Sequence, residues 1–160
     1  MVVFLADVQA RQLHRRIRNR FRTDGYFEAV QFRIAEAREP GPSRVVAPTN
    51  PRLFLDDETY PVEAARIEVG FELGAGGDHY WFNWIEADRD LLLGWHQDDD
   101  HPDLGPVHVQ VSQGGEVVAR ESATFVDGHP MAVLETRLAQ VADGLSRVEW
   151  REGSVAGLGW

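Results

Sequence analysis

The chain of 160 residues contains no cysteine and no lysine, and only two methionines. Without cysteine it can form no disulfide, has no thiolate nucleophile and cannot bind zinc or an iron–sulfur cluster through sulfur. It also lacks any stretch near the roughly 18 consecutive apolar residues of a membrane span, and no basic segment precedes the short apolar run at its start. We therefore expect a cytoplasmic protein without a membrane partner.

Two common enzyme motifs are absent as well. No Gly-x-Ser-x-Gly motif occurs, and the glycine-rich residues 74–77 neither open a predicted helix nor precede a lysine. We interpret residues 74–77 as a hairpin turn. The sequence thus disfavours a phosphate-binding loop and a doubly wound nucleotide-binding fold.

All sixteen basic residues are arginine, and they are unevenly placed against 26 acidic residues. The first 22 residues hold six arginines and one aspartate, so their net charge is +5 within a chain of net charge −10. A lysine-free acidic body suggests a high-GC or salt-adapted host. The basic segment predicts a helix that binds phosphate, because guanidinium groups bind phosphate bidentately, but an arginine face paired with the acidic body fits equally well. The candidate nucleic-acid-binding residues are Arg11, Arg15, Arg16, Arg18 and Arg22.

Hydrophobic periodicity predicts one sheet with a helix near each end. Apolar residues recur at helical spacing over 8–21 and again over 131–145. Alternating segments predict strands at 26–37, 62–73, 79–85, 91–95, 107–112 and 117–125. Since no βαβ alternation occurs, we expect an α+β fold, an antiparallel meander with an N-terminal basic helix and a C-terminal amphipathic helix packed on it.

The length is sufficient for one domain with its own core. We assign residues 1–150 to this single domain and expect residues 151–160 to form a loose tail. Residues 39–61 hold five of the eight prolines. We interpret them as a long proline-rich insertion, which in a compact domain is often functional.

Residues 95–110 combine three of the six histidines with four aspartates. His96 ends one predicted strand, His108 lies in the next, and the loop between them carries Asp98 and His101. If the hairpin brings these groups together, one imidazole can accept a proton while another donates one. Imidazole and carboxylate also suit a metal such as zinc. A solvated acidic turn with structural histidines is the alternative.

The aromatic residues at 79–85 also have two interpretations. Aromatic side chains favour strands and bury large areas against a helix, which is the interpretation we prefer. An exposed aromatic strand would instead be a platform on which nucleic-acid bases stack. The remaining histidines are assigned no chemistry, and His129 is expected to take part in the cap of the last helix.

Residues 80–110 resemble the toxin component of TumE-type toxin–antitoxin modules. The likeness lies in Tyr80-x-x-x-Trp84, Arg89-Asp90, His101-Pro102-Asp103-Leu104 and Pro106-x-His108. The chain departs from the family pattern at His96, Gln97, Asp100, Val107 and Gln110. The resemblance implies a small α+β protein that is encoded beside an antitoxin and acts on RNA.

We predict a toxin-like ribonuclease that works by metal-independent acid–base chemistry and needs no cofactor. His101 and His108 are the predicted acid–base pair, His96 and Asp98 assist, and the helix arginines hold phosphate. RNA and an antitoxin protein are the expected partners, and a homodimer is left open. The alternative is a non-catalytic module whose basic helix binds nucleic acid or an acidic protein. The aspartates at 98–100 oppose the first prediction, because they repel an RNA backbone unless they are neutralised.

Overall fold

A computed structural model describes residues 2–33, 44–72, 78–124, 126 and 129–159, and for residues 2–8 it describes the backbone only. The chain forms three α-helices and nine strands within these ranges. Their order is α1 (Val2–Arg22), β1 (Gln31–Arg33), β2 (Arg44–Thr49), α2 (Pro51–Phe54), β3 (Ala65–Glu72), β4 (His79–Glu86), β5 (Leu91–Gln97), β6 (Val107–Gln113), β7 (Glu116–Ser122), α3 (Pro130–Arg147), β8 (Val148–Arg151) and β9 (Ser154–Leu158).

Strands β1 to β7 form one sheet in which they lie in chain order, and every neighbouring pair is antiparallel. Strands β8 and β9 form a separate hairpin. The predicted α+β fold is therefore confirmed, with an N-terminal helix, an antiparallel meander and a C-terminal helix packed on it. No helix among the described residues is long and apolar enough to cross a membrane.

One face of the sheet carries the core. Helix α1 buries Leu13, Ile17 and Phe21 there, and α3 buries Leu134 and Val141. Alternate residues of the central strands face these helices, because side chains on a strand point to opposite faces in turn. The strand residues of this face include Ile67, Val69, Phe71, Phe82, Trp84, Leu93, Trp95, Val109 and Val111.

Helix α3 packs very closely on β5. A Cβ atom at Gly144 would lie 2.8 Å from Leu93 Cδ2 and 2.9 Å from Trp95, so only glycine permits this approach. The helix begins at Pro130, and the preceding His129 side chain accepts a hydrogen bond from the Met131 N–H at 3.2 Å. The expected role of His129 as a cap is thus confirmed.

Three sequence predictions need correction. The tail predicted to be loose contains β9, which pairs with β8 and buries Val155. The insertion at 39–61 contains β2 and α2, although its residues 39–43 lie outside the described part of the chain. Strand β2 was not predicted because it contains Pro48, and proline is rare inside strands. Of the strand predicted at 26–37, the described part forms a strand only at β1.

Candidate functional site

Three imidazoles that are separate in the sequence meet at one end of the sheet. His96 on β5 and His108 on β6 are direct partners in the antiparallel register, and their ring centroids lie 5.1 Å apart. His101 contacts His108 from the connecting loop, with the centroids 4.8 Å apart. These three residues and Asp98 are called the histidine centre below.

The histidine centre lies on the face of the sheet opposite to the helices. His96 and His108 follow Trp95 and precede Val109, whose side chains face the core, so the two imidazoles project to the other side. We call this the open face, because none of the described helices packs on it. The position of the histidine centre therefore follows from the strand period together with the register of β5 and β6.

The loop from 98 to 105 folds over this end of the open face. Asp98 Oδ1 accepts a hydrogen bond from the Asp100 N–H at 3.1 Å, which turns the chain after β5. A short 3₁₀ turn, Pro102–Leu104, directs the loop back towards the sheet. Ser122 Oγ on β7 then donates to the Leu104 carbonyl at 2.8 Å. These contacts hold His101 against His108.

Asp98 differs from its acidic neighbours. Its side chain is buried and its Oδ1 lies 4.0 Å from His108 Nδ1, whereas Asp99 and Asp100 are exposed. Asp99 also lies 3.4 Å from His79 Nε2. Asp98 is thus part of the histidine centre, whereas Asp99 and Asp100 face solvent.

Asn83 on β4 holds the ring of His96. The His96 Nε2 lies 2.8 Å from Asn83 Oδ1, and because that oxygen can only accept, the ring nitrogen donates. This hydrogen bond leaves Nδ1 as the unprotonated nitrogen of a neutral His96. The two side chains fit because their neighbour is Gly94, where a Cβ would overlap Asn83 Oδ1 and lie 2.9 Å from His96 Nε2. Sequence reasoning missed both Asn83 and Gly94.

Burial changes the protonation of two imidazoles. It lowers the pKa of His96 to about 4, and the neighbouring His108 adds to this effect while Asp98 opposes it. Burial also lowers the pKa of His108, again against the attraction of Asp98. Both rings are therefore neutral near pH 7, so they can accept a proton or bind a cation.

The three imidazoles differ in access. His108 is only 2% exposed, and its Nε2 is buried without a hydrogen-bond partner among the described residues. His96 and His101 are half-buried. Of the predicted acid–base pair, His101 can thus meet a substrate directly, whereas His108 lies beneath the loop.

Two further residues of the open face flank the histidine centre. Trp81 on β4 is half-buried and is the strand partner of His96 on the side away from His108. Arg120 on β7 is the strand partner of Gln110, and its Nε donates to Gln110 Oε1 at 3.2 Å. The cationic Arg120 also lowers the pKa of His96 and His108, by less than burial does. Only the register across four strands reveals this arrangement.

The helix arginines lie elsewhere. Arg11, Arg15, Arg16 and Arg22 are exposed and Arg18 is half-buried, on a helix that packs against the core face. The sheet therefore lies between them and the histidine centre. Arg20, which is outside the predicted set, pairs with Asp24 and Glu135, as the alternative interpretation of the basic segment expects.

The aromatic run divides between the two faces. Tyr80, Phe82 and Trp84 are buried in the core, as the preferred interpretation predicted. Trp81 lies on the open face. One aromatic ring is thus left beside the histidine centre.

Comparisons with protein-family models, curated proteins and solved structures found no match to this chain. The similarity of residues 80–110 to TumE-type toxins is therefore a resemblance in motif. The chemistry of the histidine centre has to be inferred from its own geometry.

Proposed function

We propose that this protein is a toxin-like ribonuclease whose histidine centre cleaves RNA by acid–base chemistry. The convergence of His96, His101 and His108 carries the proposal, because phosphodiester cleavage needs a base and an acid on either side of one phosphorus. The motif resemblance to TumE-type toxins supports the same substrate and adds an antitoxin protein as partner and a cytoplasmic site of action.

The proposed reaction transfers two protons. His96 Nδ1 accepts the proton of the ribose 2′-hydroxyl, and the 2′-oxygen attacks phosphorus. The bond from phosphorus to the 5′-oxygen breaks, and protonated His101 gives its proton to that oxygen. The products are a 2′,3′-cyclic phosphate and a free 5′-hydroxyl. His108 touches neither proton and acts as a positioning residue, held between both rings and beside Asp98.

Arg120 and Trp81 complete the proposed site. The guanidinium of Arg120 is held by Gln110 through Nε, and its other N–H groups have no partner among the described residues, so they are available for a phosphate oxygen as negative charge develops. Trp81 lies beside His96 and offers an aromatic face on which a base can stack. Together they replace the helix arginines as the proposed RNA contacts of the active site.

The proposal is tested by incubating purified protein with end-labelled single-stranded RNA. We expect His96→Ala and His101→Ala each to slow cleavage about 100- to 10,000-fold. His129→Asn is the matched control, since it removes an imidazole outside the site while keeping a side chain suited to a helix cap. No cleavage by the unaltered protein, or an unchanged rate in the His96→Ala/His101→Ala double variant, contradicts the proposal.

A second candidate is a metal centre. One ligand atom each from His96, Asp98 and His108 lies within 4.8 Å of the others, and two imidazoles with a carboxylate suit zinc or iron. The hydrogen bond from His96 to Asn83 is of the kind that orients metal-binding histidines. A bound metal would activate water, and His101 would be the remaining proton-transfer residue.

The two candidates respond differently to removal of metal. If the acid–base proposal holds, metal-free protein cleaves RNA and the cleavage is insensitive to chelator. If the metal candidate holds, protein purified without a metal-affinity tag contains about one equivalent of metal by elemental analysis, and Asp98→Asn loses it. Chelator-resistant cleavage by metal-free protein rules out the second candidate.

A further inference from the structure

Arg137 on α3 is a buried charge without a counter-ion. Its side chain is almost completely buried, with 1% of its surface exposed. The guanidinium donates to Gln140 Oε1 and to the Thr124 carbonyl, each at 2.8 Å, and among the described residues it has no carboxylate partner. Burial alone lowers the pKa of Arg137 to about 10. A guanidinium is very rarely buried so completely without an anion.

The two hydrogen bonds do not require a cation. Any neutral donor could bind an amide oxygen and a backbone carbonyl with a smaller desolvation penalty. A fixed positive charge becomes favourable when an anion completes the arrangement. The burial of Arg137 therefore points to an anion that binds beside it.

A cavity of about 450 Å³ lies next to Arg137, between α3 and strands β6 and β7. This volume is within the range of small-molecule sites. Trp95 and Val109 contribute apolar surface, and Thr124 and Gln140 line the cavity near the guanidinium. Since Trp95 and Val109 face the core, the cavity lies on the opposite side of the sheet from the histidine centre.

The other charges in the cavity select among anions. Arg147 pairs with Glu121, so these two charges compensate each other. Asp143 also lines the cavity and has no ion pair within the described part of the chain. A dianion such as phosphate would be repelled by Asp143 more strongly than a monoanion. The planar guanidinium fork also matches a carboxylate.

We propose that this cavity binds a small monocarboxylate with an apolar body, whose carboxylate pairs with Arg137 and whose chain packs on Trp95 and Val109. This binding site is separate from the histidine centre and does not depend on the proposed RNA cleavage.

The proposal is tested by isothermal titration of the full chain with hexanoate, acetate and inorganic phosphate. Hexanoate should bind at least tenfold more tightly than acetate, because it buries more apolar surface, and phosphate should not bind. Arg137→Met should weaken hexanoate binding at least tenfold, with an unfolding midpoint equal to or above that of the unaltered protein. The exposed Arg151→Met is the matched control and should bind normally.

Three results overturn the proposal. One is the absence of hexanoate binding to the unaltered protein, and another is equal binding by Arg137→Met. The third is an Arg137→Met protein that is much less stable or does not fold, because the guanidinium would then serve the fold itself. Arg137→Lys adds an independent check, since it keeps the charge but loses the fork and should bind hexanoate at least fivefold more weakly.

Discussion

Replacing Gly94 by alanine tests whether the close packing around His96 is real. The backbone of Gly94 is not in the left-handed region, so alanine is compatible with it. Its Cβ, however, would overlap Asn83 Oδ1 and lie 2.9 Å from His96 Nε2 and 3.2 Å from Leu92 Cδ2. We therefore expect the hydrogen bond between Asn83 and His96 to break and the His96 ring to shift.

The expected loss of stability can be estimated from three contributions. The lost hydrogen bond costs about 1 kcal/mol, and overpacking costs about 1 to 3 kcal/mol. The smaller conformational freedom of alanine in the unfolded chain returns about 0.4 to 1 kcal/mol. The net decrease in the free energy of unfolding is about 2 kcal/mol, which lowers the urea midpoint by about 1 M when the m-value is about 2 kcal/mol/M.

The assay is urea unfolding of Gly94→Ala and of the matched control Gly25→Ala, together with their RNA cleavage rates. No atom lies within 4 Å of a Cβ built at Gly25, and its φ is also not positive. Gly25→Ala should therefore change stability by less than about 0.5 kcal/mol and leave cleavage unchanged. A Gly94→Ala protein as stable and as active as this control would refute the packing argument and the role of Asn83.

Three further predictions concern pH, a buried carboxylate and the basic helix. Burial holds the pKa of His96 at about 4 in the folded chain, against 6.5 in the unfolded chain. Between these pH values the unfolded chain binds more protons than the folded chain. The free energy of unfolding therefore falls by at most about 3 kcal/mol as the pH drops from 7 to 4. Urea titrations at several pH values should show a smaller fall in His96→Gln, and an identical fall contradicts the burial. Glu86→Gln should lower the free energy of unfolding by about 3 kcal/mol, because Glu86 is fully buried and its partner Arg89 loses its counter-charge. A loss below about 1 kcal/mol, measured by urea unfolding, would contradict this prediction. Changing Arg15 and Arg16 to glutamine should leave the cleavage of a trinucleotide unchanged. In filter-binding assays, the same change should reduce the salt dependence of binding to long RNA by about one to two charges. Slower cleavage of the trinucleotide would instead show that the helix reaches the active site.

The periodicity of the chain was sufficient to predict most elements. Alternation over 62–73 and 107–112 matches β3 and β6, since each strand buries one face and leaves the other polar. Periodicity did not predict strands β2 and β9, whose sequences lack a clear alternation of apolar and polar residues. Pro48 masked β2, and the short alternation around Val155 was too weak to predict β9, which forms because β8 pairs with it.

The candidate site was predictable only in part. The sequence was enough to place His96 near His108, because two strands connected by one loop are expected to pair as a hairpin. Asn83 and Arg120 were not predictable, since they belong to strands on either side of that hairpin and reach the site through registers that the sequence does not display. The burial of Arg137 was not predictable either, since it depends on how closely α3 packs on β5.

The sequence by itself determined the order of the elements, the face to which each strand side chain points and the concentration of imidazoles and carboxylates near residue 100, because these depend on neighbours along the chain. The tertiary structure decided which strands pair residue against residue, and therefore which groups share the open face. It also decided which charges lose their water. Both depend on how helices and strands pack across the core, so no local pattern records them.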